Sequence, residues 1–408
     1  MCRQPENCGR HMECACYFAD DRLPPRPAGD QLQPKEHGDG DLVKQLALVT
    51  SLVCIGFVVG CGDATEPMTK MPQPPAASPV VNAEKPETAQ PPTATAADAE
   101  LTNRHFTFHY RFKVKDLKPA EDSEQNLVRV WLPSASASDE QDVRRLEATA
   151  PGEVSENSDA QFGNRILFFE TKIPESGEFS VDVPYEVTRR EVLRGSSRAT
   201  DPNSAKLEES RREFFLRADA MVPTTGKPLK LLDMVELVQD KFARARQLYD
   251  IVDNHVAYKK EGTGWGRGDT NWVCDSRYGN CTDFHSLFIS LARSQGLPAR
   301  FEIGFSIPTD KPEGPIAGYH CWAWFYTDER GWVPVDISEA DKNPMMKDYY
   351  FGGLTPGRVT FSVGRDISLS PQSASQPLNF FIYPHIEVGG KVLPRENVEL
   401  QFAFKDKA

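Results

Sequence analysis

Three residues in the second half of the chain have the types and the order needed for thiol chemistry: Cys281, His320 and Asp336. A cysteine nucleophile needs a base that takes its proton, and that base needs a partner that orients it. Cys281 stands where a helix is predicted to begin, and the positive end of a helix dipole favours a thiolate. The three residues therefore predict a Cys–His–Asp arrangement that can attack a carbonyl carbon.

The helix that carries the cysteine is predicted from the stretch 279–287, which has the form of a tight turn followed by a first helical turn. Asn280 and Thr282 can cap free backbone amides, and Asp283 suits the positive end of the helix dipole. Apolar residues then recur at the spacing of one buried helix face: Phe284, Leu287, Phe288 and Leu291. We expect the helix to end near Gly296, because Pro298 lies just beyond it.

The histidine and the aspartate are predicted to lie on two neighbouring strands. His320 comes at the start of an aromatic strand, and Asp336 comes late in the next one. If the two strands pair through a hairpin at 327–331, these side chains fall near opposite positions of the ladder. An aspartate there would fix the tautomer of the imidazole and stabilise the imidazolium.

Other residues near the cysteine have alternative interpretations. His285 lies one helical turn after Cys281, and we expect it to be packed rather than to act as the base. Cys321 alternates to the strand face opposite His320 and is expected in the core. Cys281 itself could also be a small buried residue without chemistry. A redox role with Cys274 is a weaker interpretation, because the spacing is not Cys-x-x-Cys.

The cysteine count argues against a disulfide scaffold. Three of the nine cysteines, Cys274, Cys281 and Cys321, lie in the predicted folded part, and an odd number predicts no permanent bridge. Cys274–Cys281 or Cys281–Cys321 bridges could form on oxidation. The other six precede the folded part and match no standard zinc-finger spacing: Cys2, Cys8, Cys14, Cys16, Cys54 and Cys61. No metal site and no cofactor are predicted.

Length and charge limit the remaining functions. A chain of 408 residues is long enough for roughly two or three domains, and 39% hydrophobic residues can form a core over most of it. The net charge of −12 argues against a nucleic-acid partner, which would require a basic face.

The segment 1–61 is predicted to be an N-terminal extension followed by a lipoprotein-type signal peptide. Lys44 precedes an apolar run at 46–59, and Val-Gly-Cys ends at Cys61. These residues resemble a bacterial lipobox, with Cys61 as the lipidated residue. The signal lies unusually far from residue 1, so we expect translation to begin near Leu42 or Val43. A short membrane anchor is the alternative, although the run is shorter than the about 20 residues that span a bilayer. Either interpretation predicts a membrane-anchored protein of the cell envelope that faces the periplasm or the outside.

Two further regions are predicted before the cysteine helix. Residues 62–100 are rich in Pro, Ala, Thr and Glu and predict a disordered linker. Residues 101–195 alternate apolar and polar side chains in several strands separated by turns, which predicts an all-β sandwich domain.

Residues 204–408 predict a second domain of the α+β class. Helical segments before residue 256 and a glycine-rich loop at 260–280 precede the cysteine helix, and the loop is expected to line the approach to Cys281. Antiparallel strands then follow: Ala299–Ile307, Tyr319–Thr327, Trp332–Ile337 and the C-terminal pair Phe380–Val388 and Val398–Phe404.

The motifs around the three residues resemble the transglutaminase-like superfamily, and more closely bacterial extracytoplasmic members with a preceding β domain. They are Gly-Asn-Cys-Thr-Asp-Phe-His-Ser at 279–286, Leu-Pro-Ala-Arg at 297–300, Tyr-His-Cys-Trp-Ala-Trp at 319–324 and Trp-Val-Pro-Val-Asp at 332–336. The resemblance is strong over 240–345 and looser over 104–400. It implies a papain-like α+β core in which helices pack on an antiparallel sheet.

The resemblance also implies a reaction. Cys281 would be the nucleophile, His320 the general base and then acid, and Asp336 its orienting partner. Acyl transfer would run through a thioester to an amine or to water, as in a transglutaminase or a cysteine protease, on a protein or peptide substrate such as a cell-wall peptide. For the oxyanion, we expect the backbone N–H of Cys281 and, as a second donor, the indole N–H of Trp272. The alternative is a module that binds such a component without turnover.

Overall fold

The computed structural model describes residues 101–119, 121, 124–194 and 206–407. The predicted signal peptide, Cys61 and the linker at 62–100 lie outside the described residues. Within the described ranges, no helix is both long and apolar enough to cross a membrane.

The described part of the chain contains five α-helices: α1 (Glu209–Leu216), α2 (Lys241–His255), α3 (Thr270–Ser276), α4 (Cys281–Ser294) and α5 (Ile337–Lys342). The strands of the same part, in chain order, are β1 (Asn103–Val114), β2 (Leu127–Ser134), β3 (Gln141–Arg145), β4 (Ser155–Ser158), β5 (Arg165–Lys172), β6 (Phe179–Arg190), β7 (Val192–Leu193), β8 (Ala257–Tyr258), β9 (Tyr278–Gly279), β10 (Ala299–Ser306), β11 (Glu313–Ile316), β12 (Tyr319–Thr327), β13 (Gly331–Val335), β14 (Gly353–Leu354), β15 (Arg358–Val363), β16 (His385–Val388), β17 (Lys391–Val392) and β18 (Val398–Asp406).

Two five-stranded antiparallel sheets form the β-rich part of the molecule. Their strand orders are β11-β18-β1-β6-β3 and β17-β16-β2-β5-β4. Alternating apolar side chains of β1, β2, β5 and β6 are buried in one shared core, which is the arrangement that period-two patterning favours. A ring contact between Phe169 and Phe179, with centroids 6.3 Å apart, joins one sheet to the other.

The C-terminal strands require a correction to the predicted domain boundaries. The sequence division placed them with residues 204–408, but β18 pairs with β1 along its whole length, from Phe106 opposite Asp406 to Val114 opposite Val398. β16 likewise pairs with β2. These strands therefore complete the two sheets whose first strands are β1 and β2, and all described residues belong to one compact unit.

A four-stranded antiparallel sheet of order β13-β12-β10-β15 supports the central helix α4. Every residue of α4 from Cys281 to Arg293 is buried, because α2, α3, α5 and the sheet surround it. A helix that is buried all round needs neighbours on every side, and this one is fixed between the sheet and the other helices. The α+β architecture predicted from the sequence is confirmed. The glycine-rich loop contains one element that was not predicted, the short helix α3.

Candidate active site

The first turn of α4 is held by a reciprocal capping box. The side chain of Asn280 accepts a hydrogen bond from the Thr282 N–H at 2.9 Å. The Asp283 carboxylate accepts one from the Asn280 N–H at 2.9 Å. Such caps satisfy amides that have no partner inside the helix. As a result, the position of Cys281, the first helical residue, is well defined.

The glycine-rich loop is attached to this turn through the same aspartate. Asp283 also accepts hydrogen bonds from the backbone N–H groups of Gly266 at 2.6 Å and Gly268 at 3.0 Å. Burial raises the pKa of Asp283 to about 7, although the three backbone donors oppose that shift. Gly268 has a positive φ of 62°, and a Cβ there would lie 2.2 Å from the Ser286 hydroxyl. Only glycine lets the loop approach the helix this closely.

Cys281 and His320 are both buried, and each is electrostatically coupled to the other. Their exposed fractions are 3% and 5%, and each residue shifts the pKa of the other. Burial alone would raise the pKa of the Cys281 thiol. However, hydrogen bonds from Cys321 and His320, together with the imidazole charge, hold that pKa well below its usual value. These shifts favour the thiolate–imidazolium form of the pair, in which sulfur is nucleophilic.

Asp336 engages the other side of the same imidazole. Nε2 of His320 lies 2.7 Å from Oδ2 of Asp336, which leaves Nδ1 as the ring nitrogen available to Cys281. Burial lowers the pKa of His320, but the charge and the hydrogen bond of Asp336 outweigh it and raise that pKa to about 9. The structure thus brings together the three residues predicted from the sequence.

The position of Asp336 differs in detail from the predicted one. β13 ends at Val335, and Asp336 is the N-cap of α5, where its carboxylate accepts a hydrogen bond from the Glu339 N–H. In the observed register Ala323 pairs with Val335. Asp336, the next residue, therefore comes level with Trp322, two residues further along β12 than the predicted partner His320. The His320 side chain therefore reaches Asp336 diagonally.

Arg358, at the start of β15, is a residue of this site that the sequence did not indicate. Its Nη1 donates to Oδ2 of Asp336 at 3.1 Å, and its guanidinium lies 4.9 Å from the ring centroid of Trp322. Burial would raise the pKa of Asp336, but His320 and Arg358 hold it below its usual value. Two buried cations thus keep the carboxylate ionised.

His285 does not occupy the position of a base. Its Nε2 accepts a hydrogen bond from the Ile337 N–H at 3.0 Å, so the ring proton is on Nδ1. Burial lowers the pKa of His285 to about 4, and the ring is neutral at physiological pH. It connects α4 to the first turn of α5, beside Asp336.

Cys321 is buried in the core, as its alternation predicted, and it lies against the first turns of α4. Its Sγ is 3.8 Å from the Thr282 hydroxyl and 3.8 Å from Nδ1 of His285. Burial, and then its interaction with Cys281, raise the pKa of Cys321 well above its usual value. Cys321 is therefore a neutral thiol.

The oxyanion donors predicted from the sequence remain a prediction. The N–H of Cys281 belongs to the first turn of α4, where backbone amides lack an intrahelical acceptor. The indole of Trp272 lies against Tyr278, with ring centroids 5.4 Å apart, and against Gly264.

A charged rim lies beside His320. Oε1 of Glu339 is 4.0 Å from Nε2 of His320 and 2.6 Å from Nζ of Lys342. The Lys342 ammonium lies 4.0 Å from the ring centroid of Tyr258. Within the described ranges, no group of three or more His, Cys, Asp or Glu side chains is arranged to hold a metal ion.

The sequence around this site matches a known family model. Residues 231–337, which contain Cys281, His320 and Asp336, match the family model of the transglutaminase-like superfamily. This part of the chain is a transglutaminase-like domain.

Two relatives share part of the sequence. An uncharacterized protein of Haemophilus influenzae is 27% identical over 347 residues, which cover 73% of this chain and 90% of the relative. The uncharacterized protein YebA of Bacillus subtilis is 27% identical over 127 residues, which cover 27% of this chain and 17% of YebA.

Two solved structures are also similar. A candidate cysteine protease from Cytophaga hutchinsonii is 15% identical, with a TM-score of 0.48 over 75% of this chain and 98% of that one. The periplasmic domain of TgpA from Pseudomonas aeruginosa is 16% identical, with a TM-score of 0.29 over 61% of this chain and 91% of that one. Both TM-scores are below 0.5, so neither likeness bears on the activity of this chain.

Proposed function

We propose that the protein is a thiol-dependent acyltransferase or peptidase that acts at amide bonds through a covalent thioester. The observation that carries this proposal is the buried group of Cys281, His320 and Asp336, in which Nε2 of His320 is 2.7 Å from the Asp336 carboxylate. Such a pair provides a nucleophile and a proton donor in one place.

In the first step, the Cys281 thiolate attacks the carbonyl carbon of the substrate amide. The carbonyl π electrons move onto oxygen, and the N–H of Cys281 at the start of α4 is placed to stabilise the resulting charge. His320 already carries the proton that the leaving group needs, because its pKa of about 9 keeps it an imidazolium at neutral pH.

In the second step, the tetrahedral intermediate collapses. The C–N bond breaks, His320 gives its proton to the departing amine, and an acyl thioester remains on Cys281. Water or an amine then attacks the thioester carbonyl, and His320, now neutral, takes the proton of the incoming group. The C–S bond breaks, and Cys281 leaves as the thiolate, which restores the starting pair. Water gives hydrolysis and an amine gives crosslinking. Asp336 keeps the ring oriented through both half-reactions.

The proposal places this chemistry in the cell envelope. The lipobox-like Val-Gly-Cys at 59–61 supports a lipid anchor at Cys61, and the Pro- and Ala-rich linker at 62–100 supports reach away from the membrane. A protein or peptide substrate, including a cell-wall peptide, is accessible there. Mass spectrometry of the mature N-terminus tests this part: a lipidated Cys61 is expected, and an intact segment 1–60 excludes it.

The experiment that tests the reaction is capture of the acyl-enzyme. Peptides and peptidoglycan fragments are incubated with the full-length protein, quenched in acid and mapped by mass spectrometry, with and without a primary amine. The proposal predicts an acyl group on Cys281 that is lost in Cys281→Ala and does not form in His320→Ala. The matched control is Cys274→Ser, because Cys274 lies in α3, outside the site, and its pKa is raised by burial to about 11.

The same experiment separates the enzyme from the binding module. If a vinyl sulfone probe also fails to label Cys281 at neutral pH, the outcome supports the alternative, a module that binds a peptide or cell-wall component without turnover. If the probe labels Cys281 but no acyl group forms, the substrate set is wrong and the thiol chemistry stands.

A further inference from the structure

Arg189, in β6, is a buried cation whose hydrogen-bond acceptors within the described residues are all neutral. The residue is 1% exposed. Burial, and then the charge of Arg358, lower the pKa of Arg189 to about 10, so the guanidinium still carries its charge at physiological pH. A buried charge without a counter-ion is unfavourable in a protein interior. The position of Arg189 therefore requires an explanation.

Nη1 of Arg189 is held by two neutral groups. It donates to the side-chain oxygen of Gln141 at 3.2 Å and to the Thr360 hydroxyl at 3.3 Å. Gln141 is itself fixed, because its side-chain amide accepts from the N–H of Thr360 at 2.9 Å and donates to the carbonyl of Thr360 at 3.0 Å. These contacts orient the guanidinium without balancing its charge.

The remaining donors of the same guanidinium have no acceptor. Nε and Nη2 of Arg189 are buried, and in the part of the chain that the structure describes neither makes a hydrogen bond. We call these two groups the open edge of Arg189. They form the edge of a guanidinium whose parallel N–H groups bind an anion through two hydrogen bonds. The open edge therefore fits a negatively charged acceptor.

Arg358 brings a second cation to this region. The guanidinium carbons of Arg358 and Arg189 lie 4.9 and 6.0 Å from the ring centroid of Trp322, and the longer distance is at the limit of a cation–π contact. Nη1 of Arg358 contacts Asp336, but its Nε is buried and has no acceptor among the described residues. An anion that accepts from both guanidiniums would offset their mutual repulsion.

The carboxylates that act on Arg189 electrostatically are paired with other arginines. They are Glu302 and Glu140. Glu302 accepts a hydrogen bond from Arg300 at 2.8 Å, and Glu140 accepts one from Arg194 at 3.0 Å. Arg189 is thus the guanidinium of this group that is left without a carboxylate of its own.

We propose that the open edge of Arg189, together with Nε of Arg358, is a binding site for a small monovalent anion, and that chloride is its physiological ligand. Arg189, Arg358 and Trp322 are each at most 2% exposed, so a larger oxyanion or a substrate carboxylate would have to open the core to enter. A water molecule would satisfy the donors but would leave the charge unbalanced. Arg358 connects this site to Asp336.

The first test measures the unfolding temperature of the full-length protein against chloride concentration, at an ionic strength kept constant with potassium gluconate, whose anion is too large for the site. Binding to the folded state predicts a rise of about 2 °C for each tenfold increase above the dissociation constant. Bromide should act as chloride does. Arg189→Met should lose the dependence, because it removes both the charge and the open edge.

Arg190→Met is the matched control. Arg190 is the next residue of β6, is partly exposed and pairs with Asp142 at 2.6 Å, so this variant should keep the chloride dependence in full. Equal responses of Arg189→Met and Arg190→Met to chloride would overturn the inference.

The second test locates the ion in crystals soaked in sodium bromide. An anomalous peak is expected within hydrogen-bond distance of Nε and Nη2 of Arg189. Density for water alone at that position, or bromide only at surface positions, would overturn the inference. If Arg189→Met does not fold, the bromide map of the unmodified protein decides alone. No readout uses acyl transfer, so failure of the proposed function and failure of this inference are distinguishable.

Discussion

Arg358 and Asp336 form a buried ion pair at 3.1 Å, and the Asp336 oxygen that Arg358 contacts is the one that His320 also contacts at 2.7 Å. One carboxylate oxygen therefore joins two cations in the interior. Asp336 raises the pKa of His320, whereas the guanidinium opposes that effect through its own positive charge. The pH dependence of the activity should be sensitive to both partners, in opposite directions.

Substitution of Asp336 by asparagine removes the negative charge and keeps the size of the side chain. Because that charge is what holds the pKa of His320 near 9 against burial, the pKa should fall. The alkaline limb of kcat/KM should then move to lower pH, and the maximal rate should drop on the order of a hundredfold or more, as expected when a proton donor is lost. The pH profile of hydrolysis or of probe labelling measures the shift.

The matched control for that shift is Glu339→Gln. Glu339 lies 4.0 Å from the same nitrogen and is partly exposed, so solvent screens its charge. An alkaline limb that moves as far in Glu339→Gln as in Asp336→Asn would contradict the role given to Asp336.

Substitution of Arg358 by methionine should move the alkaline limb the other way. Without the guanidinium, the negative charge of Asp336 acts on His320 alone, and the pKa of His320 should rise. The loss of a buried charged hydrogen bond should also lower the free energy of unfolding by about 1.5–3 kcal/mol. Urea unfolding and the pH profile check the two effects separately. A limb that moves to lower pH would count against this arrangement.

His285 predicts an acid-sensitive term in stability. Its pKa is about 4 in the folded protein against 6.5 when unfolded, so between these values the unfolded state binds a proton that the folded state does not. Stability should therefore fall as pH decreases from 6.5 to 4. One such proton is worth up to about 3 kcal/mol over that range.

His285→Gln tests that term. Glutamine does not titrate, so the decrease in unfolding free energy between pH 6.5 and 4 should be shallower than in the unmodified protein. Denaturant unfolding at several pH values gives the slopes. Equal slopes in both proteins would show that His285 is not the buried neutral group described above.

Gly268 should not tolerate a side chain. In Gly268→Ala the positive φ costs about 1 kcal/mol, and the new Cβ would overlap the Ser286 hydroxyl, which adds about 1–3 kcal/mol. The loop held by Asp283 should loosen, with loss of both stability and thiol reactivity. Gly226→Ala is the matched control, because Gly226 also has a positive φ but nothing lies within 4 Å of the added Cβ. A similar loss in both variants would contradict the close approach at Gly268.

Local patterns were sufficient to predict the elements that carry the candidate site. The helix begins at Cys281 as its capping residues predicted, and β12 spans Tyr319–Thr327 as predicted. Both signals are local: a cap followed by 3.6-residue periodicity, and an aromatic strand ended by a turn.

The parts that were not predicted depend on long-range contacts. β18 completes the sheet of β1 across almost 300 residues, and no local pattern encodes that pairing. Arg358 reaches Asp336 from β15 in the same way. Asp336 was assigned to a strand because Trp332–Val335 alternates, but Ser338 and Glu339 offer the hydroxyl and amide that make it an N-cap instead.

The most direct test of the central claim is the pH dependence of Cys281 alkylation by iodoacetamide, compared between the unmodified protein and His320→Ala. The account predicts that the unmodified protein reacts as a thiolate well below the usual thiol pKa of about 8.5. In His320→Ala the midpoint should rise, since the burial of Cys281 is then less opposed. Identical midpoints in the two proteins would show that the imidazole does not ionise the sulfur, and would contradict the proposed thiolate–imidazolium pair.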